Sequence, residues 1–354
     1  HDAAVLHREQ GELAFQRFRF HKLLYLSGED VSRLGAGDMK LALADTEEAL
    51  KLVYRGDAIV PEKIAMGFGK NFLEESEKGR INAMPGFLGG AYQMAGIKWI
   101  GSNPKNQEKG LPRASSITVL NDPDTKFPVC LMNGSEISAM RTGASSGVAA
   151  KYLARRDAET LMLVGAGYQN TKQLEAIHAA LPQLKYFYIV DIVAAHAEHF
   201  AQTMGEQLGI AITPVTSIAA VDRPADITVN ASSAEVPVMD LTVARPGSLH
   251  ICVGGLDHPD LYKKADKIFC DSWHQVRHRG SCYLALDGIA GKVRDEDIYS
   301  QQIGEIICGD KPGRESDKEF LYYKPVGMGI LDIAIAARIY RAAKMQGIGT
   351  WLNY

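Results

Sequence analysis

The sequence predicts an α/β protein in two parts: a doubly wound parallel sheet, and a discontinuous α+β unit built from the chain on either side of it. Three observations predict this. Residues 160–191 read strand, glycine turn, helix, strand, terminal acid, and apolar strands and helices go on alternating to about residue 323. From Val60 to Met132 the texture is instead one of short β-type runs around a hairpin turn. A helical period returns at Ile330, beyond the alternating region. These changes assign residues 151–323 to the first unit and residues 1–150 with 324–354 to the second.

Taken in order, residues 1 to about 24 mix charge with Phe15, Phe18 and Phe20 and read either as an arm packed on a neighbouring surface or as a frayed terminus. Asp38 to Tyr54 is an amphipathic helix with Met39, Ala42, Thr46, Leu50 and Val53 on one face. Ile97–Ile100 is a strand, and Ser115–Leu120 and Phe127–Met132 flank the turn Asn-Asp-Pro-Asp-Thr. Ser135 is the expected cap of a helix running to about Arg155. Leu161–Val164 is a buried strand, Gly165-Ala166-Gly167 a tight turn, and Leu174, Ile177 and Leu181 mark the helix that follows. Tyr186–Val190 is the next strand and ends in Asp191. Ala194–Leu208 is helical; Ile227–Asn230, Leu249–Val253 and Lys267–Cys270 are strands of a sheet covered on both faces. Residues 309–327 read as loop, and Ile330, Ile333, Ala337 and Tyr340 as a last amphipathic helix closed by Gly347.

Composition narrows the function. The chain has 354 residues, 46% hydrophobic and 23% charged, with a net charge of −3, so neither nucleic acid nor an anionic membrane is an expected partner. No apolar run reaches the roughly 18 residues of a membrane span. No signal segment is seen after His1, which in place of a Met leaves room for further residues ahead of it, and the expected location is cytoplasmic. Cys130, Cys252, Cys270, Cys282 and Cys308 are scattered without histidines at ligand spacing, and read as reduced core thiols with no metal site.

The glycine turn is where chemistry enters. A turn opening a helix offers backbone N–H groups to a pyrophosphate, and Asp191 falls where a carboxylate accepts from ribose hydroxyls and repels a 2′-phosphate, favouring NAD. The third glycine of the dinucleotide fingerprint is replaced by Asn170, so a turn that merely needs small residues is the alternative. Lys98, inside the apolar run Gly-Ile-Lys-Trp-Ile-Gly, is either a proton-transfer lysine with a lowered pKa or a strand lysine that snorkels to solvent. Arg113 and Arg141 are candidates to fork onto a carboxylate or phosphate, or else are simply solvated. Asp257, after a strand end and Gly254-Gly255, is an acid/base candidate or a turn aspartate.

The same residues carry a resemblance. Ala-Met-Pro (83–85), Gly-Ile-Lys-Trp-Ile-Gly-Ser (96–102), Leu-Asn-Asp-Pro-x-Thr-x-x-Pro (120–128), Ile-Ser-Ala-Met-Arg-Thr (137–142) and Gly-Ala-Gly-Tyr-Gln (165–169) are similar to the ornithine cyclodeaminase/μ-crystallin superfamily from about Leu23 to Tyr354. Lys-Trp-Ile-Gly-Ser, Arg113-Ala-Ser, Gly-Asp-Lys-Pro-Gly-Arg-Glu (309–315), Pro325-Val-Gly-Met and Ile348-Gly-Thr-Trp-Leu-Asn resemble most the siderophore-pathway branch of that superfamily, whose dehydrogenases split an amino-acid conjugate into 2,3-diaminopropionate and 2-oxoglutarate. The resemblance implies a Rossmann-type nucleotide domain, a substrate-binding and dimerisation domain, NAD as cofactor and a homodimer. It implies that Lys98 contacts substrate, that Asp257 is catalytic, and that Arg141 contacts both cofactor and substrate. Gly165, Gly167, Tyr168, Gln169, Asn170 and Asp191 would hold the dinucleotide, with Ser232, Val253 and Gly254 at its nicotinamide end. Lys63 stands where ornithine cyclodeaminase has a carboxylate-binding arginine, and Arg113 where it has a threonine. Lys63, Arg80, Lys98 and Arg113 together imply a substrate with more than one carboxylate. The implied activity is NAD-dependent oxidation of a C–N bond followed by imine hydrolysis. The alternatives are a cyclodeaminase, an imine reductase or alanine dehydrogenase, and a non-catalytic μ-crystallin-like binder. Gly254-Gly255 before Asp257 is the feature nearer the cyclodeaminase.

Overall fold

A computed structural model describes residues 21–69 and 78–353. Of the N-terminal arm, the three phenylalanines lie outside the described residues. Its end is not an arm, because Lys22–Leu26 forms β1, hydrogen-bonded on both sides within a sheet. The strand forms because Leu24 and Leu26 alternate inward while Leu23 and Tyr25 lie on the other face. Helices α1 (Gly28–Arg33) and α2 (Met39–Tyr54) follow, the second capped by the Asp38 side chain.

Strands β2 (Ala58–Ile59), β3 (Ile64–Gly67), β4 (Arg80–Leu88), β5 (Met94–Ser102), β6 (Ala114–Asn121) and β7 (Pro128–Asn133) then form an antiparallel meander. Helix α3 (Ser135–Leu153) leads into a second, seven-stranded sheet. Ser135 does not cap this helix: Gly134 takes the cap position, and the Ser135 hydroxyl accepts from the Ser116 N–H at 3.1 Å instead. The neighbouring strand supplied a backbone donor that competes for the hydroxyl.

The second sheet contains β8 (Thr160–Val164), β9 (Tyr186–Val190), β10 (Ile212–Val215), β11 (Ile227–Ala231), β13 (Leu249–Gly254), β15 (Lys267–Cys270) and β16 (Leu321–Lys324). All pairings are parallel, in the order β10-β9-β8-β11-β13-β16-β15. Two short strands, β12 (Pro237–Met239) and β14 (Leu256–Asp257), pair beside it. Helices α4 (Tyr168–Ala180) and α5 (Ala194–Leu208) cross between strands. Strand β16 corrects the loop expected over 309–327, for Leu-Tyr-Tyr-Lys is fully buried between β13 and β15. Four residues flanked by glycines, prolines and charges are too short to show a period. The short helices α6 (Trp273–Arg279), α7 (Tyr283–Ile289) and α8 (Gly304–Ile307) complete this half.

The chain then returns to the first sheet. Helix α9 (Gly329–Gln346) packs on its inner face: Gly86 leaves room for Ile330, and Gly329 lies against the Met84 carbonyl. Instead of being amphipathic throughout, its N-terminal half is buried on every side, from Gly329 to Ala337. Strand β17 (Thr350–Asn353) pairs with β1 at the sheet's edge, giving the order β17-β1-β7-β6-β5-β4-β2 with β3 also on β4. Among the described residues no helix is long and apolar enough to cross a membrane. All five cysteines are free.

Candidate active site between the two sheets

The order of the second sheet reverses beside β8, where β9 lies on one side and β11 on the other. A crevice outside the carboxyl ends of these strands is where such sheets bind ligands. Three strand ends meet there. Gly165, at φ +95°, sits so close to Ser232 that a Cβ would collide with its backbone, 2.8 Å from Ser232 Cα. Gly255, at φ +68°, lies against the Ser232 side chain, and Gly254 against its carbonyl. Gly167 begins α4 with no side-chain cap, leaving N–H groups open at the helix start.

Asn170 has an internal task. Its amide donates to the carbonyls of Val164 at 2.8 Å and Gly165 at 2.6 Å, stapling the turn from a fully buried position. Asp191 also braces the turn: one carboxylate oxygen accepts from the Ala166 N–H at 2.8 Å and the other from Val193 at 3.0 Å. Each oxygen retains acceptor capacity for a hydroxyl ligand. Tyr168 and Gly167 face solvent, and Gln169 and Val253 are half-buried.

Behind this crevice lies a saturated network. Asn230 accepts from the Ser232 N–H and hydroxyl, and donates to Asp257 Oδ1 at 2.8 Å. The other oxygen of Asp257 takes the Tyr322 hydroxyl at 2.8 Å and the His250 ring Nε2 at 3.0 Å, and Thr228 holds His250 Nδ1 at 2.7 Å. Burial alone would raise the pKa of Asp257, but the His250 ring and the Asn230 amide hold it below the usual carboxylate range.

A second cluster sits on the first sheet. Lys98 in β5 is directly opposite Met84 and Thr118, 1% exposed, with its ammonium 3.1 Å from the Ser138 hydroxyl and 3.2 Å from Asp332 Oδ1. Asp332 Oδ2 is 3.1 Å from Arg141 Nε. Both contacts are off-axis, so neither Asp332 oxygen nor that nitrogen has an aligned hydrogen bond. Burial and the Arg141 charge push the Lys98 pKa down to about 8, against the opposing pull of Asp332. The nominal snorkelling lysine is therefore fully interior.

Lys63 joins the same cluster. Its ammonium donates to the carbonyls of Val326 at 2.8 Å and Gly327 at 3.0 Å, where β16 gives way to α9. The N–H groups of those two residues donate to Asp271, so the connection is gripped from both sides. Burial, then Arg141, drive the Lys63 pKa well down, with Asp271 opposing. Gly327, at φ +72°, leaves space for the Arg141 guanidinium. The cluster reaches the glycine turn through α3 and α4: Gln173 donates to the Thr142 carbonyl at 3.2 Å, and Gly143 abuts the Lys172 backbone.

Of the remaining cations, Arg80 is half-buried at the start of β4, and Arg113 is exposed just before β6. The structure thus brings Lys63, Lys98 and Arg141 together, and places Asp257 in a separate network with none of them among its hydrogen-bond partners. Reading the sequence missed Asp271, Asp332, Ser138, Asn230, His250 and Tyr322. A signal existed for two of these: the aspartates in Phe-Cys-Asp-Ser and Gly-Ile-Leu-Asp-Ile-Ala are acids in apolar runs, as Lys98 is a cation in one.

Comparison with known proteins places the chain's fold in a family. The model of the ornithine cyclodeaminase/mu-crystallin family matches residues 31–347. The chain is 30% identical over 344 residues to N-((2S)-2-amino-2-carboxyethyl)-L-glutamate dehydrogenase of Staphylococcus aureus, covering 94% of this chain and 98% of that protein. It superposes on Thermococcus litoralis Delta(1)-pyrroline-2-carboxylate reductase in complex with NADH and L-proline with a TM-score of 0.83 at 32% identity, covering 93% and 99% of the two chains. An archaeal alanine dehydrogenase dimer with bound NAD gives a TM-score of 0.83 at 30% identity, covering 94% and 99%.

Proposed function

Since the chain belongs to the ornithine cyclodeaminase/mu-crystallin family, we propose that it is an NAD-dependent oxidoreductase that oxidises the C–N bond of an amino-acid conjugate, N-(2-amino-2-carboxyethyl)-L-glutamate or a close analogue, releasing 2,3-diaminopropionate and a 2-oxo acid. One observation carries the substrate class. Among the described residues of the cluster, three buried cations, Lys63, Lys98 and Arg141, share two buried carboxylates, Asp271 and Asp332. The Arg141 guanidinium, and Lys98 once it has taken a proton, favour an anionic ligand, and a substrate carboxylate supplies it. Exposed Arg113 and half-buried Arg80 offer further charge to a second carboxylate.

The glycine turn, the uncapped start of α4 and Asp191 fit a dinucleotide: N–H groups for the pyrophosphate, carboxylate oxygens for the ribose. The bound nicotinamide supplies a hydride acceptor. In this reading Arg141 and Lys63 orient the substrate carboxylate, and Lys98 in its neutral form takes the proton of the substrate's secondary ammonium. Asp257, held ionised, orients the water that hydrolyses the imine, working through the Asn230–Ser232 link at the crevice. Residues 151–323 act as the nucleotide-binding unit, and 1–150 with 324–354 as the substrate and dimerisation unit.

The outer face of the first sheet supports a homodimer. Ile64, Ala83, Trp99 and Ile117 lie in one register row across four strands, and Tyr25, Leu131, Val119 and Ile97 in the next. Ile64 is 68% exposed, Trp99 45% and Ile117 44%, an apolar face that a second copy would cover. A monomeric mass at micromolar concentration argues against this.

The test of function is NAD reduction with N-(2-amino-2-carboxyethyl)-L-glutamate beside alanine, proline and ornithine. Turnover is expected with the conjugate above the other three. Turnover only with alanine or proline moves the chain to the dehydrogenase or imine-reductase reading. Ornithine converted to proline and ammonia with no net NADH moves it to the cyclodeaminase reading, and NAD binding with neither NADH nor product formed from any of them leaves a binder.

A further inference from the structure

Asp332 is the fourth residue of α9, fully buried in the run Gly-Ile-Leu-Asp-Ile-Ala. Burying a carboxylate in so apolar a segment is costly unless it is paired. It is paired twice, with Lys98 at 3.2 Å and Arg141 at 3.1 Å, yet neither oxygen accepts an aligned hydrogen bond. Asp271 and Asp257 differ: both have their oxygens filled by donors fixed in the fold. An acid serving only to fasten α9 to the sheet would be expected to be filled in the same way. Asp332 instead lies at ion-pair distance from two buried cations, Lys98 and Arg141, both of which the proposed function turns toward the substrate.

The charged groups around Lys98 are few. Helix α9 contributes Asp332, α3 contributes Arg141, and the segment before β3 contributes Lys63, while β4 and β6 place uncharged Met84 and Thr118 beside it. Asp332 is thus the one carboxylate among the described residues that acts on Lys98 at contact distance.

We propose that Asp332 is the positioning residue for proton transfer: it holds Lys98 Nζ at the reacting nitrogen of the substrate, and stabilises the ammonium formed there, while keeping Arg141 in register for the carboxylate. This rests on the reading that Lys98 faces the substrate. The balance is simple. The substrate's secondary ammonium passes one proton to neutral Lys98 Nζ, leaving an amine lone pair and a Lys98–Asp332 ion pair. The Cα hydrogen then leaves with its electron pair as hydride to the nicotinamide, and the amine becomes an iminium. Asp332 stabilises the charged form of Lys98, so removing its charge makes the lysine a weaker base.

The experiment uses the full chain loaded with NAD and labelled with [ε-13C]lysine, the Lys98 signal being identified by its loss in Lys98→Arg. In wild type and in Asp332→Glu, which keeps the charge, the signal should titrate at similar pH. In Asp332→Asn the midpoint should move to lower pH by about one unit or more. The pH profile of kcat/KM for oxidation of N-(2-amino-2-carboxyethyl)-L-glutamate should move the same way. An unmoved midpoint in folded Asp332→Asn overturns the proposal. If Asp332→Asn does not fold, wild type labelled with [γ-13C]aspartate decides: the Asp332 signal must follow the Lys98 midpoint, and a signal that ignores it overturns the proposal. Absence of turnover in wild type would sink the functional reading while leaving the titration to decide the role of Asp332.

Discussion

Asp257 and Asp332 are both interior carboxylates, one under the nucleotide-type sheet and one on the helix that covers the antiparallel sheet. Asp257 takes hydrogen bonds from Asn230, His250 and Tyr322, each held in turn by a strand of the parallel sheet. Asp332 has two cations at contact distance and no aligned donor. The first environment is complete without a ligand; the second is not. In a buried site, donors and acceptors left over by the fold are where a substrate's polar groups find partners, whereas a filled network fixes geometry. In the proposed function the two regions divide the work accordingly: Asp257 and its partners preorganise the crevice, and the Lys98–Arg141–Asp332 cluster meets the substrate.

The largest expected effect breaks the open cluster. Lys98→Ala should lower turnover by roughly two to four orders of magnitude, since it removes a proton acceptor used in the transition state. NAD affinity should stay near wild type in a fluorescence titration, because Lys98 is no part of the glycine turn. Stability should fall by about 2–4 kcal/mol from the cavity left by a fully buried side chain, while Asp332 keeps Arg141. Lys98→Met, which fills that space without the charge, should recover most of this stability but no turnover, and a variant that stays as unstable as Lys98→Ala would make Lys98 part of the filled kind of network. The wild-type pH profile sharpens the same point. With Lys98 pushed down to about 8, oxidation needs its neutral form and should rise with pH through that value. Imine reduction needs the charged form and should fall across the same range.

Asp257→Asn should behave in the opposite sense. An amide cannot accept from all three donors, and its own NH2 would face the Asn230 amide or the Tyr322 hydroxyl. Stability should fall by about 2–4 kcal/mol, seen as a lower denaturation midpoint at unchanged m-value, along with the loss of turnover. Lost turnover at full stability would show that Asp257 acts on the reacting atoms and not through the network.

The contrast also explains what could be read from the chain alone. The glycine turn, Asp191 and the alternating strands were legible because a parallel sheet buried on both faces imposes continuous apolar runs with turns at fixed places. Lys98 stood out as a charge in an apolar run of the antiparallel sheet. Asp332 stood in one too, but its partners lie 234 and 191 positions away, and no local period reveals a pairing that only the return of α9 to the first sheet creates. Strand β16 escaped for a related reason: its four residues gain their strand character from β13 and β15 on either side. Asn170 was legible as a departure from the fingerprint; its stapling of the turn through the Val164 and Gly165 carbonyls depends on how the turn folds back over the helix start.

A smaller effect is expected at the crevice. Asp191 is braced by two backbone N–H groups, so it belongs partly to the filled kind of site while keeping acceptor capacity for a ribose. Asp191→Ser should raise NADP affinity relative to NAD by about tenfold, by removing both the ribose acceptor and the repulsion of a 2′-phosphate. A wild type that already prefers NADP in a titration would remove Asp191 from that role.

The smallest effect is expected at Arg113. It precedes β6 at the rim of the first sheet and is exposed, unlike Lys63, Lys98 and Arg141. A charge in contact with water attracts a carboxylate only weakly, because solvent screens it and the long side chain must be ordered to engage. Its contribution should be uniform binding and not transition-state stabilisation, so Arg113→Ala should raise KM a few-fold and leave kcat near wild type. The effect should be larger for the conjugate, which carries a second carboxylate, than for alanine, and should shrink as salt is raised. Steady-state kinetics with both substrates at low and high ionic strength separate these outcomes. An equal KM increase for both would mean that Arg113 meets the carboxylate the substrates share, placing it with the buried cluster and not at the rim.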